Sequence, residues 1–275
     1  MPVIATNTAA NSALRYLNLN SDTESSITSK LASGSRITKA SDDASGLAIG
    51  TRIQSDVTVL GQAATNASQA TAILQTADGG LARISDILQR MKALATQSYS
   101  GSVTDSERTY IQSEYDELMD EIDGIAQSTR YNGVSLLDGT GVYSTGVDFM
   151  VGTSTSDVIT VTIDDVDATA LGINASSVSS STNASAAVTL LDTAISTISS
   201  ARASVGASMS RFDFRSQTIA TSEENLSAAQ SAVMDADVAS EKSKLASADV
   251  KAQAAIAALT QANSMPQNLL SLLKS

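Results

Sequence analysis

At 275 residues and 42% hydrophobic, the chain is long enough for one or two domains and apolar enough to bury a core, yet aromatics are only 3% and Trp and His are absent. Its 17 basic and 29 acidic residues give a net charge of −12, which disfavours nucleic acid and anionic membrane surfaces as partners, and no eighteen-residue apolar run offers a membrane span. With neither Cys nor His, thiolate chemistry, disulfides, Cys/His zinc sites and the usual triads are excluded; no catalytic, cofactor-binding or metal constellation emerges, and the chain reads as a structural protein rather than an enzyme.

The first 19 residues hold one charge, Arg15, where exposed tails are normally charged. Leu14 and Leu17 start a helix that Ile27 and Leu31 continue, and residues 1–11 lack the basic opening of a signal peptide, so export by that route is not expected. Asp42 and Asp43 follow Ser41 and read as a cap on the second helix in preference to a metal or acid–base pair. That second helix carries Ile53, Leu60, Ala67, Leu74, Leu81, Leu88 and Ala95 at strict seven-residue spacing, the mark of a coiled-coil seam. A capping box at Thr104 and Glu107 opens a third helix, with Ile111, Tyr115, Leu118, Ile122 and Ile125 on one face. The acidic residues Asp116, Glu117, Asp120, Glu121 and Asp123 read as its solvated side.

The signal then changes. Asn132-Gly133 is a hairpin dipeptide, and residues 158–163 alternate apolar residues with Thr as a strand does. Residues 171–187 are Ser-, Asn- and Ala-rich with almost no charge, which predicts an exposed surface loop. The heptad returns with Leu191, Ile198, Val205, Phe212, Ile219, Leu226 and Val233, a helix of roughly 64 Å at about 1.5 Å per residue. An aspartate at Leu226 is expected to cost several kcal/mol as a buried unpaired charge. Residues 252–275 again contain a single charge, Lys274, and end in Leu269, Leu270, Leu272 and Leu273. Burying these with Ile256, Leu259 and Met265 would gain on the order of 10 kcal/mol before ordering entropy, at roughly 1.5–3 kcal/mol per side chain. Two readings stay open for these ends: a helical hairpin within one chain, or surfaces ordered only between subunits.

The expected fold is therefore mainly α: a long antiparallel coiled-coil bundle built from the N- and C-terminal segments, with a small β-containing variable insert. The expected division places terminal helices in 1–40 and 236–275, with a spoke near 34–46. A helical bundle occupies 41–137 and 188–235, and a short outer region occupies 138–187.

Several of these stretches resemble bacterial flagellin. They are LASGSRITKASDDASGLAIG at 31–50, LQRMKAL at 88–94, YNGVSLL at 131–137, residues 202–212, and ENLSAAQSAVMDADVASE at 224–241. Together they lie in both halves of the chain, on either side of the middle region. The resemblance implies a self-assembling subunit that forms a helical homopolymer, the extracellular filament that gives motility, with terminal helices lining an inner tube. It also implies type III export through the flagellum itself, a cytosolic chaperone on residues 252–275, and flagellar cap and hook-associated proteins as neighbours. A further implied partner is the innate immune receptor TLR5, with Gln89, Arg90, Leu94 and Glu114 in the epitope positions. Met91, Lys92, Ala93 and Thr96 depart from the pattern around it. The competing reading of those four residues is that Leu94 packs in the seam and Arg90 pairs with a nearby carboxylate. The alternatives to a filament subunit are the hook–filament junction protein, of similar terminal plan, and a chemoreceptor-type coiled coil, which gives no reason for a β insert or charge-free ends.

Overall fold

A computed structural model describes residues 6–274, with side chains described through Met265. Apolar repeats of three and four produce five helices: α1 Thr8–Ser33, α2 Ala44–Tyr99, α3 Asp105–Ser128, α4 Ser181–Met234 and α5 Val238–Lys274. Between α3 and α4 lie two small antiparallel pairs, β1 Arg130–Tyr131 with β2 Val134–Ser135, and β3 Val147–Met150 with β4 Val158–Val161. In the second pair Val147 faces Val161 and Met150 faces Val158.

Local chemistry sets the helix ends. The Asn7 side chain accepts from Ala10 N at 3.0 Å, and Gly34 closes α1 at φ 71°. Asp43 caps α2, accepting from Gly46 N at 2.8 Å, whereas Asp42 bonds to Thr38 and Lys39 of the preceding turn. The capping box of α3 is complete, with Thr104 N donating to Glu107 Oε2 at 2.8 Å and Glu107 N to Thr104 Oγ1 at 3.4 Å. Between β1 and β2, Asn132 and Gly133 have φ of 49° and 80°, both positive as a tight hairpin turn requires.

The chain forms two compact units, Met1–Asp56 with Asn225–Ser275, and Val57–Glu224. This division differs from the one read in the sequence, because α2 and α4 each run from one unit into the other without a break. Periodicity marks a helix but not where its neighbours change.

In the second unit the seams are closed. Leu74, Leu81, Ile84, Leu88 and Met91 of α2 are fully buried, as are Tyr115 and Ile122 of α3, with Leu118 and Ile125 half-buried beside them. On α4, Leu191, Ile198, Val205, Phe212 and Ile219 are all at most 3% exposed. Phe149 of β3 meets Phe212 edge-on at 5.9 Å, so the β insert packs onto the helix. Asn66 donates to Met150 O at 3.0 Å, and Asp123 accepts from Ala168 N at 2.8 Å.

Residues 171–187 are not the exposed loop their composition predicts. Leu171, Ile173 and Val178 are buried, and α4 begins at Ser181. Ser98 Oγ donates to Val178 O at 2.6 Å, Val178 N donates to Gln112 Oε1 at 2.6 Å, and the Tyr115 and Ser176 hydroxyls bond at 2.7 Å. The acceptors and donors of α2 and α3 satisfy this backbone as water would have done in a loop.

The heptad also fades where the sequence shows no change. Ile53, Leu226 and Val233 belong to the first unit and are only half-buried, unlike Leu60 and the ladder between them. The aspartate penalty expected at Leu226 therefore shrinks, since water reaches that position.

Candidate assembly surface

The first unit is built on the pairing of α1 with α5. On α1 the inward positions are Ala10, Ala13, Leu17, Asn20, Glu24, Ile27 and Leu31, alternating three and four. Asn20 and Glu24 stand at seam positions where an apolar pattern is expected, which is why the sequence reads as irregular there. On α5 the matching positions are Glu241, Leu245, Ala248, Ala252, Ala255, Leu259 and Ala262. Ala248, Ala255 and Ala262, seven apart, are at most 8% exposed; side chains this small let the two backbones approach. Asn7 Nδ2 donates to Ala262 O at 2.8 Å, and the buried Glu241 carboxylate takes Lys244 at 2.6 Å.

An alanine seam buries little, and the pair leaves large apolar side chains in water. Leu14, Tyr16 and Leu19 of α1 are 46–57% exposed, and Val238, Val250, Ile256 and Met265 of α5 are 48–65% exposed. Of the residues read as association anchors, Leu17 and Leu259 lie on the inner seam, half-buried, while Leu14 and Ile256 face outward. Leu269, Leu270, Leu272 and Leu273 lie outside the residues whose side chains are described. A groove of about 650 Å³ runs between the helices, walled by Leu19, Thr23, Ile27, Lys244, Ala248 and Lys251.

The segment linking α1 to α2 is held to the end of α4 by backbone. Arg36 N donates to Met234 O at 2.6 Å, the Ser35 hydroxyl donates to the same oxygen at 3.1 Å, and Ala236 N donates to Gly34 O at 2.9 Å. Met234 also fills the space over Gly50, where a Cβ would stand 2.4 Å from its sulfur, so a larger residue there would push the Met234 side chain aside. Asp42 is held below the usual carboxylate range, first by the Thr38 N–H and then by that of Lys39, with the Thr38 hydroxyl and Lys30 adding. Nothing in the spacing pointed to Met234; its carbonyl and thioether act only once distant segments meet.

In the second unit Arg90 grips Glu114 through Nε at 2.9 Å and Nη2 at 2.5 Å, joining α2 to α3. Gln89 is exposed beside it, and Leu94 is 2% exposed in the interior. The structure thus brings Gln89, Arg90 and Glu114 to one surface with Leu94 beneath. Lys92 with Asp192 and Arg202 with Asp78 tie α2 to α4 in the same way. Such exposed pairs contribute about 0–1 kcal/mol each and align helices more than they hold them. Among the described residues no group of three His, Cys, Asp or Glu side chains is placed to hold a metal, and no helix is long and apolar enough to cross a membrane.

A closed helical bundle beside a terminal helix pair with an unfinished apolar surface defines the class of a self-associating subunit. Comparison with known proteins gives that class a family. Residues 4–141 match the bacterial flagellin N-terminal helical region and residues 188–273 the bacterial flagellin C-terminal helical region. The chain is 35% identical to a flagellin of Bacillus subtilis, covering 98% of each chain. It is 34% identical to the flagellar filament 30.7 kDa core protein of Treponema maltophilum, over 98% of this chain and 99% of that one. A crystal structure of Bacillus cereus flagellin superposes with a TM-score of 0.51 at 32% identity, covering 56% of this chain and 88% of that chain. A putative flagellar hook-associated protein from Vibrio parahaemolyticus gives a TM-score of 0.57 at 14% identity, over 70% of this chain and 99% of that one, a likeness of fold alone. The chain belongs to the bacterial flagellin family: it is a structural subunit of a flagellar filament and not an enzyme.

Proposed function

We propose that the α1–α5 surface is the principal polymerisation surface, and that the chain is exported and assembled through it into an extracellular filament that gives motility. The observation that carries this reading is the set of large apolar side chains, from Leu14 to Met265, left in water around a helix pair that has already used its alanine seam. Copies that cover one another's exposed side chains remove that surface from water. In this reading the segments 1–40 and 236–275 make the inner tube and 34–46 the spoke, with 41–137 and 188–235 around them. Residues 138–187 lie outermost, although they pack on their own helices. Exposed apolar side chains of the same kind, Ile256 and Met265 among them, are what a cytosolic chaperone would cover before export, on residues 252–275. The flagellar cap and hook-associated proteins would meet the filament's ends through like surfaces.

The test is a chain lacking residues 252–275. It should remain helical through the bundle and form no filaments on seeding, whereas filaments visible by electron microscopy would overturn the reading. A second, narrower reading concerns TLR5. The exposed Gln89, joined by the Arg90–Glu114 pair, offers a polar contact surface supported from below by Leu94. Receptor activation by soluble monomer should fall when Arg90→Ala removes the pair; an unchanged response would end that reading.

A further inference from the structure

The second unit holds eight basic residues among twenty acidic ones, and six of the eight are engaged within the chain. Arg83 meets Asp86, Arg90 Glu114, Lys92 Asp192, Arg108 Asp105 and Arg202 Asp78, while Arg130 donates to the Gln127 carbonyl. Among the described residues Arg211 and Arg215 have no such partner. They stand four apart on α4, with Phe214, 70% exposed, next to them. At about 100° per residue the three side chains fall within an arc of roughly 100°, so they form one face. Asp213, the nearest carboxylate in sequence, turns into a groove with Ala67 and Thr71. In a unit so rich in carboxylates, two neighbouring unpaired guanidiniums beside a bare phenyl ring form an exception.

A complementary face exists on α3. Glu117 and Glu121 are exposed, also four apart and without hydrogen-bond or ion-pair partners among the described residues, and Tyr110, 77% exposed, lies on the same side two turns earlier. Residues at i and i+4 are separated by about 6 Å along either helix, so two guanidiniums and two carboxylates can meet in register. Arginine's planar fork suits this bidentate pairing, and a phenyl ring between the pairs would be withdrawn from water.

We propose that the Arg211/Phe214/Arg215 face of one copy docks on the Tyr110/Glu117/Glu121 face of α3 in the next copy. The proposal rests on the filament reading and adds a second contact to it, outside the terminal helices. Because the two faces differ, the contact is heterologous: each copy keeps one face free for a further neighbour, and the chain of contacts continues. Two charge pairs in register also fix the axial step between copies, which an apolar surface alone leaves loose.

The test uses the full chain in seeded polymerisation. The parent should elongate; the double variant Arg211→Glu/Arg215→Glu, and separately Glu117→Arg/Glu121→Arg, should raise the critical concentration about ten-fold or more through like-charge contact. All four changes in one chain should restore it to within about three-fold of the parent. Double variants that assemble at the parental concentration, or a fourfold variant no better than they are, would overturn the contact. Unchanged circular dichroism and melting temperature establish that the variants fold. A second measurement avoids charge altogether, since the chain has no cysteine. Filaments carrying Phe214→Cys with Glu117→Cys should oxidise to a ladder of covalent multimers, whereas filaments with either change alone should not; monomer alone from the double variant would also overturn the contact. A parent that forms no filaments sinks the filament reading and this contact together. A parent that assembles while the ladder and the charge effects fail removes only the contact.

Discussion

From Leu191 to Ile219 the second unit turns its seven-residue ladder into side chains that water does not reach, with Phe212 locked against Phe149. The first unit uses the same spacing at Ala248, Ala255 and Ala262, and among the described residues its buried apolar side chains are only these with Ile27 and Ile37. The two also differ in charge. Met1–Asp56 with Asn225–Ser275 carries nine basic and nine acidic residues, while Val57–Glu224 carries eight and twenty, so the whole excess of −12 belongs to the second. Periodicity alone does not say whether a helix pair is finished. A bulky seam closes a core and can tolerate a charged, self-repelling exterior, whereas a small-residue seam on a neutral segment leaves apolar surface for neighbours and nothing to repel them.

That contrast can be broken by equivalent damage to each unit. Phe212→Ala removes a fully buried ring from the closed seam and should cost about 3–5 kcal/mol in denaturant unfolding. A loss under about 1 kcal/mol would mean the second unit is not the stable one. Leu226→Asp, on the same helix and heptad but half-buried in the first unit, should cost only about 1–2 kcal/mol. If its cost matched that of Phe212→Ala, the distinction between closed and open seams would fail. The smallest effect concerns acid. Asp42 has a depressed pKa, so its contribution is present above the ordinary carboxylate range and is lost as pH falls through its lowered folded value. The turn at Thr38 and Lys39 should therefore open in acid, seen as a loss of amide protection at those two residues relative to their intrinsic exchange rates. Asp42→Asn should remove the pH dependence of that protection, and protection that stayed flat with pH in the parent would contradict the assignment.

Much of the helical architecture was legible because it rests on local rules. The caps at Asp43 and Thr104, the Asn132-Gly133 turn and the seven-residue ladders each involve residues within one or two turns of each other. The terminal surface was legible in part, through its missing charges; its inner and outer residues were not separated, because polar Asn20, Glu24 and Glu241 occupy the seam. The segment 171–187 misled, since a few apolar residues diluted among Ser and Asn give no periodic signal.

By itself, then, the sequence determined where the long heptad ladders run, how α2 and α3 begin, that the chain offers no His or Cys chemistry, and that its two ends are poor in charge. These follow from side-chain spacing and composition, which are properties of neighbours along the chain. Only the tertiary structure decided where α2 and α4 pass from one unit to the other, that Tyr115, Ser98 and Gln112 fasten residues 176–178, and that Arg90 meets Glu114. Those outcomes depend on hydrogen bonds and packing between residues far apart in sequence, and no local pattern records which distant group will satisfy a buried donor.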